Sequence, residues 1–230
     1  QSGNSFDLSG LSEPVYAAFY YSGSVASPQT LELSLSEPSA NRGILITPGT
    51  GRAPDLAGEG RVGSGGLRVG DGVHLEVDPA GQADLSQSFT VEGWFRIDTF
   101  VNRERVALMD QRGGDTNLRV FVADDGEVIA GAYFGSGYSG NDYYVSSGSV
   151  ALSQKTWHHV ALTVDRAAGE LNLLIDGQSV ASLSRTGAGR SDAGPLRIGG
   201  TDFAHDIPMR GRVDEIRVWD HARTEAEIAA

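Results

Sequence analysis

The sequence contains no cysteine. Disulfide staples and thiolate metal centres are therefore excluded. Lysine is nearly missing too: Lys155 is the only one, so arginine supplies almost all the positive charge. Positive charge as a whole is scarce, with 18 Lys and Arg against 30 Asp and Glu and a net charge of -12. Phosphate recognition needs a basic surface, so this balance argues against nucleic acid and against anionic membrane surfaces. It suits cations such as calcium, and neutral glycans. No apolar run approaches the roughly 18 residues of a membrane-spanning helix. The chain also lacks an initiator Met and a signal-peptide pattern. Gln1 to Ser12 are polar and loose, and Thr224 to Ala230 stop inside an apparent helix. Both ends suggest a processed or excised piece of a larger, secreted or cell-surface chain.

What is present points to β structure. A chain of 230 residues with 40% hydrophobic content can bury a core without staples. Its 31 glycines suit many turns between short strands. Alternation predicts first strands at Val15 to Tyr21 and Thr30 to Ser36. A Gly/Pro-rich stretch from Thr47 to Gly66 reads as a long surface loop, because alternation resumes at Leu67 to Val69 and Val73 to Val77. The clearest strand is Ser88 to Ile97. Phe89, Val91, Phe95 and Ile97 share one face, and Thr90, Glu92, Trp94 and Arg96 the other. Trp94 must therefore fill a second packing layer or line a groove.

Further strands are predicted at Arg105 to Asp110, Asn117 to Ala123, Val128 to Phe134, Trp157 to Asp165, Leu171 to Ile175, Gln178 to Ser184, Leu196 to Ile198 and Arg212 to Trp219. Asp124-Asp125-Gly126 reads as a tight hairpin, and Asp176-Gly177 as a type I′ turn. Thr224-Glu225-Ala226-Glu227 is a capping box for one short helix. About a dozen short strands with almost no helix predict two packed antiparallel sheets. No fixed-period repeat is visible.

Three segments together resemble the laminin-G-like, concanavalin A-like lectin and glucanase jelly-roll family. The first runs from Gly60-Arg61-Val62-Gly63 through Gly65-Gly66-Leu67-Arg68-Val69-Gly70-Asp71-Gly72-Val73. The second is Ser88-Phe89-Thr90-Val91-Glu92-Gly93-Trp94-Phe95-Arg96. The third starts at Trp157-His158-His159-Val160-Ala161-Leu162-Thr163-Val164-Asp165 and ends at Gly211-Arg212-Val213-Asp214-Glu215-Ile216-Arg217-Val218-Trp219. The resemblance implies an all-β, two-sheet antiparallel jelly-roll sandwich with one short C-terminal helix. The resemblance covers a single domain over 13–230, and the polar residues 1–12 before it are expected to be a flexible segment. Similar domains bind glycans or proteins, or serve as accessory modules of secreted bacterial enzymes and adhesins, and the fold does not choose among these.

Some similar jelly rolls are glycoside hydrolases, which need two carboxylates flanking the scissile bond. In those enzymes the pair lies on one strand as Glu-x-Asp-x-x-Glu or Glu-x-Asp-x-Glu. Glu76-Val77-Asp78 begins such a pattern, but Pro79, Ala80 and Gly81 follow. Asp214-Glu215 places its carboxyls on opposite sides of a strand. A non-catalytic domain is expected. His158-His159 cannot converge on a metal from one strand, so one packed and one exposed ring are expected. Calcium is a more plausible cofactor, since it takes six to eight oxygens. By resemblance, Asp214 is a candidate ligand; Asp71, in a glycine turn, is another.

The candidate ligand site centres on the aromatic, glycine and polar stretch from Tyr133 to Tyr144. Its named residues are Tyr133, Tyr138, Asn141, Asp142, Tyr143 and Tyr144. Sugars offer C–H faces to rings and hydroxyls to polar partners. Asp110, Arg112 and Asp115 in a neighbouring loop, and Asp202 and His205 in another, would supply polar groups. The expected partner is a glycan or cell-surface polysaccharide, bound by a calcium-supported lectin-like or adhesive module. A protein-interaction or scaffold module, and a divergent polysaccharide-active enzyme, are the alternatives.

Overall fold

The strands of this chain alternate apolar and polar side chains, and each alternating strand must bury one face. The computed structural model describes residues 43–46, 60–61, 66–71, 73–77, 84–112, 116–135, 144–189, 194–201 and 206–229. In chain order these form β1 (Gly43–Ile46), β2 (Leu67–Val69), β3 (His74–Val77), β4 (Phe89–Ile97), β5 (Arg105–Arg112), β6 (Thr116–Val122) and β7 (Glu127–Ala132). There follow β8 (Tyr144–Ala151), β9 (Trp157–Asp165), β10 (Glu170–Ile175), β11 (Gln178–Ser184), β12 (Leu196–Ile198), β13 (Asp206–Pro208), β14 (Gly211–Trp219) and α1 (Glu225–Ile228).

Two sheets result. One has the order β1-β3-β12-β5-β6-β7-β8, with β13 added parallel to β5. The other has the order β11-β10-β9-β4-β14-β2 and is antiparallel throughout. Their inner faces meet in one core, where Phe89, Val91, Phe95 and Ile97 of β4 face Leu108, Leu118, Val120 and Ile198 of the other sheet's strands. Each such side chain stabilises the fold by about 1.5–3 kcal/mol on burial.

Local turn chemistry agrees with this layering. Asp176 and Gly177 both take positive φ, 51° and 80°, as a type I′ turn requires. Thr224 caps α1 by accepting from the Glu227 N–H, and the Glu227 carboxylate accepts in return from the Thr224 N–H. Gly93 lies on the inner row of β4. The β14 ladder slips between Asp214 and Arg217, Glu215 takes a φ of 49°, and Ile216 tucks into the space above Gly93.

Part of the outer face of the six-stranded sheet, over β4, β9 and β10, is covered by the C-terminal segment. Ile228 of α1 packs on Ala161 and Leu174. Thr90 donates to the His221 carbonyl and accepts from the Arg223 N–H, and Glu225 accepts from the Ser179 N–H. Both faces of β4 are consequently buried, including Thr90 and Glu92. Trp94 fills the second packing layer, with the Arg61 guanidinium 4.2 Å above its ring and His159 edge-on at 5.3 Å.

Most predicted strands are present within a residue or two. The predicted strands at Val15 to Tyr21 and Thr30 to Ser36, the segment 1–12, and most of the Thr47 to Gly66 stretch lie outside the described residues. Three strands were not foreseen: β1, β8 and β13. β8 begins at Tyr144, so that tyrosine belongs to a strand rather than to the loop assigned to it. Its Ser/Gly-rich sequence carries little alternation, with only Val145 and Ser147 buried. His158 and His159 do face opposite sides, paired with Phe95 and Trp94 respectively. The expectation of one exposed ring is corrected: His158 is partly covered, held by Asp176 at 2.9 Å and by the Ser153 N–H at 3.0 Å.

A Cβ at Gly93 would run into the Ile216 side chain. Gly93→Ala should lower unfolding stability by about 1–3 kcal/mol, the usual cost of overpacking. A urea unfolding midpoint equal to that of the unaltered protein would contradict this packing.

Candidate functional site

The C-terminal segment covers part of one sheet's outer face, and the outer face of the eight-stranded sheet carries a line of charged side chains. Strand register places Glu76, Arg197, Asp110, Arg119, Gly131 and Tyr144 opposite one another across β3, β12, β5, β6, β7 and β8. Directly opposed residues sit roughly 5 Å apart, so this is one continuous transverse row. Its first four members alternate in charge.

The contacts follow the register. Arg197 Nε donates to Glu76 Oε1 at 2.6 Å, and His74 Nε2 lies 3.4 Å from the same oxygen. Arg119 Nε lies 4.0 Å from Asp110, which also accepts from the Thr201 hydroxyl at 2.7 Å. Arg119 forms a second ion pair with Asp206, and Arg105 Nε approaches that carboxylate at 2.9 Å. Asp110, Arg119 and Asp206 are buried. Glu76 and Arg197 are partly open, and Arg105 reaches solvent with 38% of its side chain exposed.

The row ends in aromatic rings. The guanidiniums of Arg105 and Arg119 lie 4.9 and 5.1 Å from the Phe121 centroid. Tyr144 meets Phe121 edge-on at 6.1 Å, and its hydroxyl accepts from Arg119 Nη1 at 3.5 Å. Cationic planes on aromatic faces and an amphipathic tyrosine make this end half apolar and half polar.

A second register line, Val77, Leu196, Gln111, Leu118 and Ala132, marks one end of the sheet. β3, β5 and β7 finish there, and β6, β8 and β12 begin there. Arg112 closes β5, and its carbonyl accepts from the Gly194 N–H at 2.9 Å. Gln111 donates to the Gly194 carbonyl at 3.1 Å, tying β5 to the start of β12. The Tyr133 N–H donates to Asn117 at 2.8 Å, and its carbonyl accepts from Arg166 at 2.6 Å. Arg166 lies 4.5 Å over Phe134. Burial draws its pKa down to about 10, so it remains a cation at neutral pH.

Of the residues named from sequence, the structure therefore brings Asp110, Arg112, Tyr133 and Tyr144 to one sheet. Asp115, Tyr138, Asn141, Asp142, Tyr143, Asp202 and His205 lie outside the described residues. Thr201 and Asp206 bracket residues 202–205, and both side chains touch the charged row. Sequence reasoning missed Arg105, Arg119, Phe121 and Arg197, reached Asp206 only as the end of the polar stretch from Asp202, and weighed Glu76 only as a catalytic carboxylate. The available signal was charge at outward positions of apolar strands, as in Leu118-Arg119-Val120 and Leu196-Arg197-Ile198.

Asp71 and Asp214, the candidate calcium ligands, do not share a site. Asp214 lies beyond Val213, which pairs with Leu67, whereas Asp71 lies beyond Val69, which pairs with Gly211. About five strand residues, on the order of 15 Å, separate them. Asp71 is 3.2 Å from Arg210. The two oxygens of Asp214 accept from the Arg61 and Glu215 backbone N–H groups. Among the described residues no group of three or more His, Asp or Glu has metal-binding geometry. The described side chains thus do not by themselves form a cage for calcium.

The covered sheet holds a different polar cluster. Glu92 accepts from Trp219 Nε1 at 2.8 Å and from Arg223 at 2.6 Å, and His159 Nε2 lies 3.7 Å from its other oxygen. Burial pushes the His159 imidazole below its ordinary value of 6.5, outweighing the upward pull of Glu92. Above about pH 6.5 the ring is neutral folded and unfolded. As pH falls below that, the unfolded chain binds a proton first, so stability is lost until the folded ring also protonates. Thermal melts between pH 7.5 and 5 should lose stability more steeply with falling pH in the unaltered protein than in His159→Gln. Parallel slopes would contradict it.

Comparison with known proteins agrees with this architecture. A laminin-G family model, described as the Concanavalin A-like lectin/glucanases superfamily, matches residues 69–229. Among curated proteins nothing matches. Among solved structures, a candidate carbohydrate-binding protein of Bacteroides ovatus is similar at 22% identity and a TM-score of 0.51, over 62% of this chain and 40% of that one. The chain thus spans well under two thirds of that protein. Domain 4 of AbnA, an extracellular arabinanase of Geobacillus stearothermophilus solved with arabinotriose, is similar at 16% identity and a TM-score of 0.54, covering 82% of this chain and 86% of that one. The CBM40 of the Ruminococcus gnavus IT-sialidase, solved with α2,3-sialyllactose, gives 16% identity and a TM-score of 0.54, covering 71% and 94%. The two sheets, the Trp94 strand and the match over 69–229 place the chain in the concanavalin A-like lectin/glucanase superfamily.

Proposed function

We propose that this domain is a non-catalytic carbohydrate-binding module, part of a larger secreted or cell-surface bacterial protein, that grips a glycan on the outer face of its eight-stranded sheet. The observation that carries the reading is the transverse row from Glu76 to Tyr144: fixed polar partners running into an aromatic end. Saccharides need that combination, since each sugar offers an apolar face and several hydroxyls. The buried ion pairs around Arg119 hold the more open side chains in place, which lowers the ordering cost of binding. Two neighbours of similar fold were solved with bound saccharides. Fold alone does not confer that activity, so the weight rests on the row.

The same row supports a binding rather than a hydrolytic role. Hydrolysis requires two carboxyl groups facing each other across the scissile bond. Here Arg197 stands between Glu76 and Asp110, and Arg119 stands between Asp110 and Asp206. A protein ligand on the same face is the second reading; displacement of a captured protein by sugars separates the two.

A glycan array followed by calorimetry tests the proposal. Saturable binding is expected, weakened about tenfold (~1.4 kcal/mol) by Tyr144→Ala, and similarly by Tyr138→Ala or Tyr143→Ala. The same glycans should be recovered uncleaved. Absence of binding to every glycan by folded protein, or product release abolished by Glu76→Gln, would overturn it.

Calcium support belongs to the proposal as a separate part. Because the described side chains form no cage, an ion would draw oxygens from backbone carbonyls and from residues beyond those described. Chelation should lower both the melting temperature and glycan affinity, with recovery on adding calcium. Melting and binding indifferent to chelator would remove calcium from the account.

A further inference from the structure

We infer that the ligand of this face is an uncharged saccharide, and that the domain discriminates against sugars bearing a carboxylate. The inference rests on the glycan-binding reading above and narrows its substrate class.

An anionic sugar is best captured by a guanidinium that offers two N–H groups to its carboxylate. Among the described residues the row holds two guanidiniums, Arg197 and Arg119, and Arg105 lies beside it on β5; each of the three faces a carboxylate. Arg197 donates to Glu76, Arg119 lies between Asp110 and Asp206, and Arg105 meets Asp206 at 2.9 Å. Among these described side chains, three carboxylates are thus matched by three guanidiniums. A ligand carboxylate entering there would compete with Glu76 or Asp206 for a cation. The displaced carboxylate would be left uncompensated where water is scarce, since the Asp206 side chain is 1% exposed.

A sugar hydroxyl meets no such penalty. It donates and accepts at once, so it can bridge the partly open Glu76–Arg197 pair while leaving the charge balance intact. Tyr144 then offers its ring edge and hydroxyl at the far end of the row.

The longer-range field points the same way. The chain carries a net charge of -12. Such a field lowers the encounter rate and local concentration of anions and leaves neutral sugars unaffected. Selection against charged competitors through juxtaposed like charge is a general route to specificity.

The test uses matched oligosaccharide pairs that differ only by an added sialic or uronic acid, measured by calorimetry in calcium-containing buffer at pH 7.5. The neutral member should bind, and the acidic member at least tenfold more weakly at low salt. That ratio should narrow at about 0.5 M salt, where charges are screened within a few ångströms. Glu76→Gln, which removes one negative charge from the row, should narrow it too. Equal or tighter binding of the acidic member, or a ratio unmoved by both salt and Glu76→Gln, would overturn the inference and leave the glycan-binding reading standing. Binding of neither member removes both.

Discussion

A carboxylate taken out of water costs several kcal/mol unless a cation and hydrogen bonds meet it in place. Asp110 and Asp206 are both buried on a sheet face, so Arg119 between them is the interaction on which the outer face depends. It bonds Asp206, approaches Asp110, donates to Tyr144 and lies over Phe121. Removing either partner would leave a buried charge unpaired. The geometry around Arg119 is therefore strongly over-determined, and the more open Glu76, Arg197, Arg105 and Tyr144 inherit that rigidity.

The fold supplies this arrangement through register rather than through loops. Side chains on successive strands line up because the apolar partners beneath them, Leu75, Ile198, Met109 and Val120, must all reach the same core. A one-residue slip would send Arg119 inward and Leu118 outward. The core therefore selects the outer row, and the two are inseparable energetically. The other sheet solves the same problem differently. Its outer face buries Glu92 beneath Arg223 and Trp219, and α1 seals the margin. Of the two outer faces, one carries the chain's own C-terminal segment and the other carries the charged row, where Glu76, Arg197 and Arg105 reach solvent.

Much of the fold was legible in the sequence because β4, β6, β9 and β10 alternate cleanly and the Asp176-Gly177 turn has only one good geometry. β8 was not, since Ser146, Ser147 and Gly148 carry no apolar period. β13 was not, because three residues ending in Pro208 give no pattern. The site was half legible. Aromatic and polar composition drew attention to Tyr133 to Tyr144 and to Asp110. Asp206 meets Arg119 across 87 residues of sequence, and Arg197 meets Glu76 across 121. No local pattern encodes those distances.

The central claim is that the ligand meets the outer face of the eight-stranded sheet. Amide chemical-shift mapping during titration with a bound oligosaccharide tests it directly. The account predicts perturbations concentrated on β3, β12, β5 and β6 around Glu76, Arg197, Asp110 and Arg119, and on Tyr144. Perturbations confined to the six-stranded sheet, around Trp94, Trp219 and α1, would contradict it.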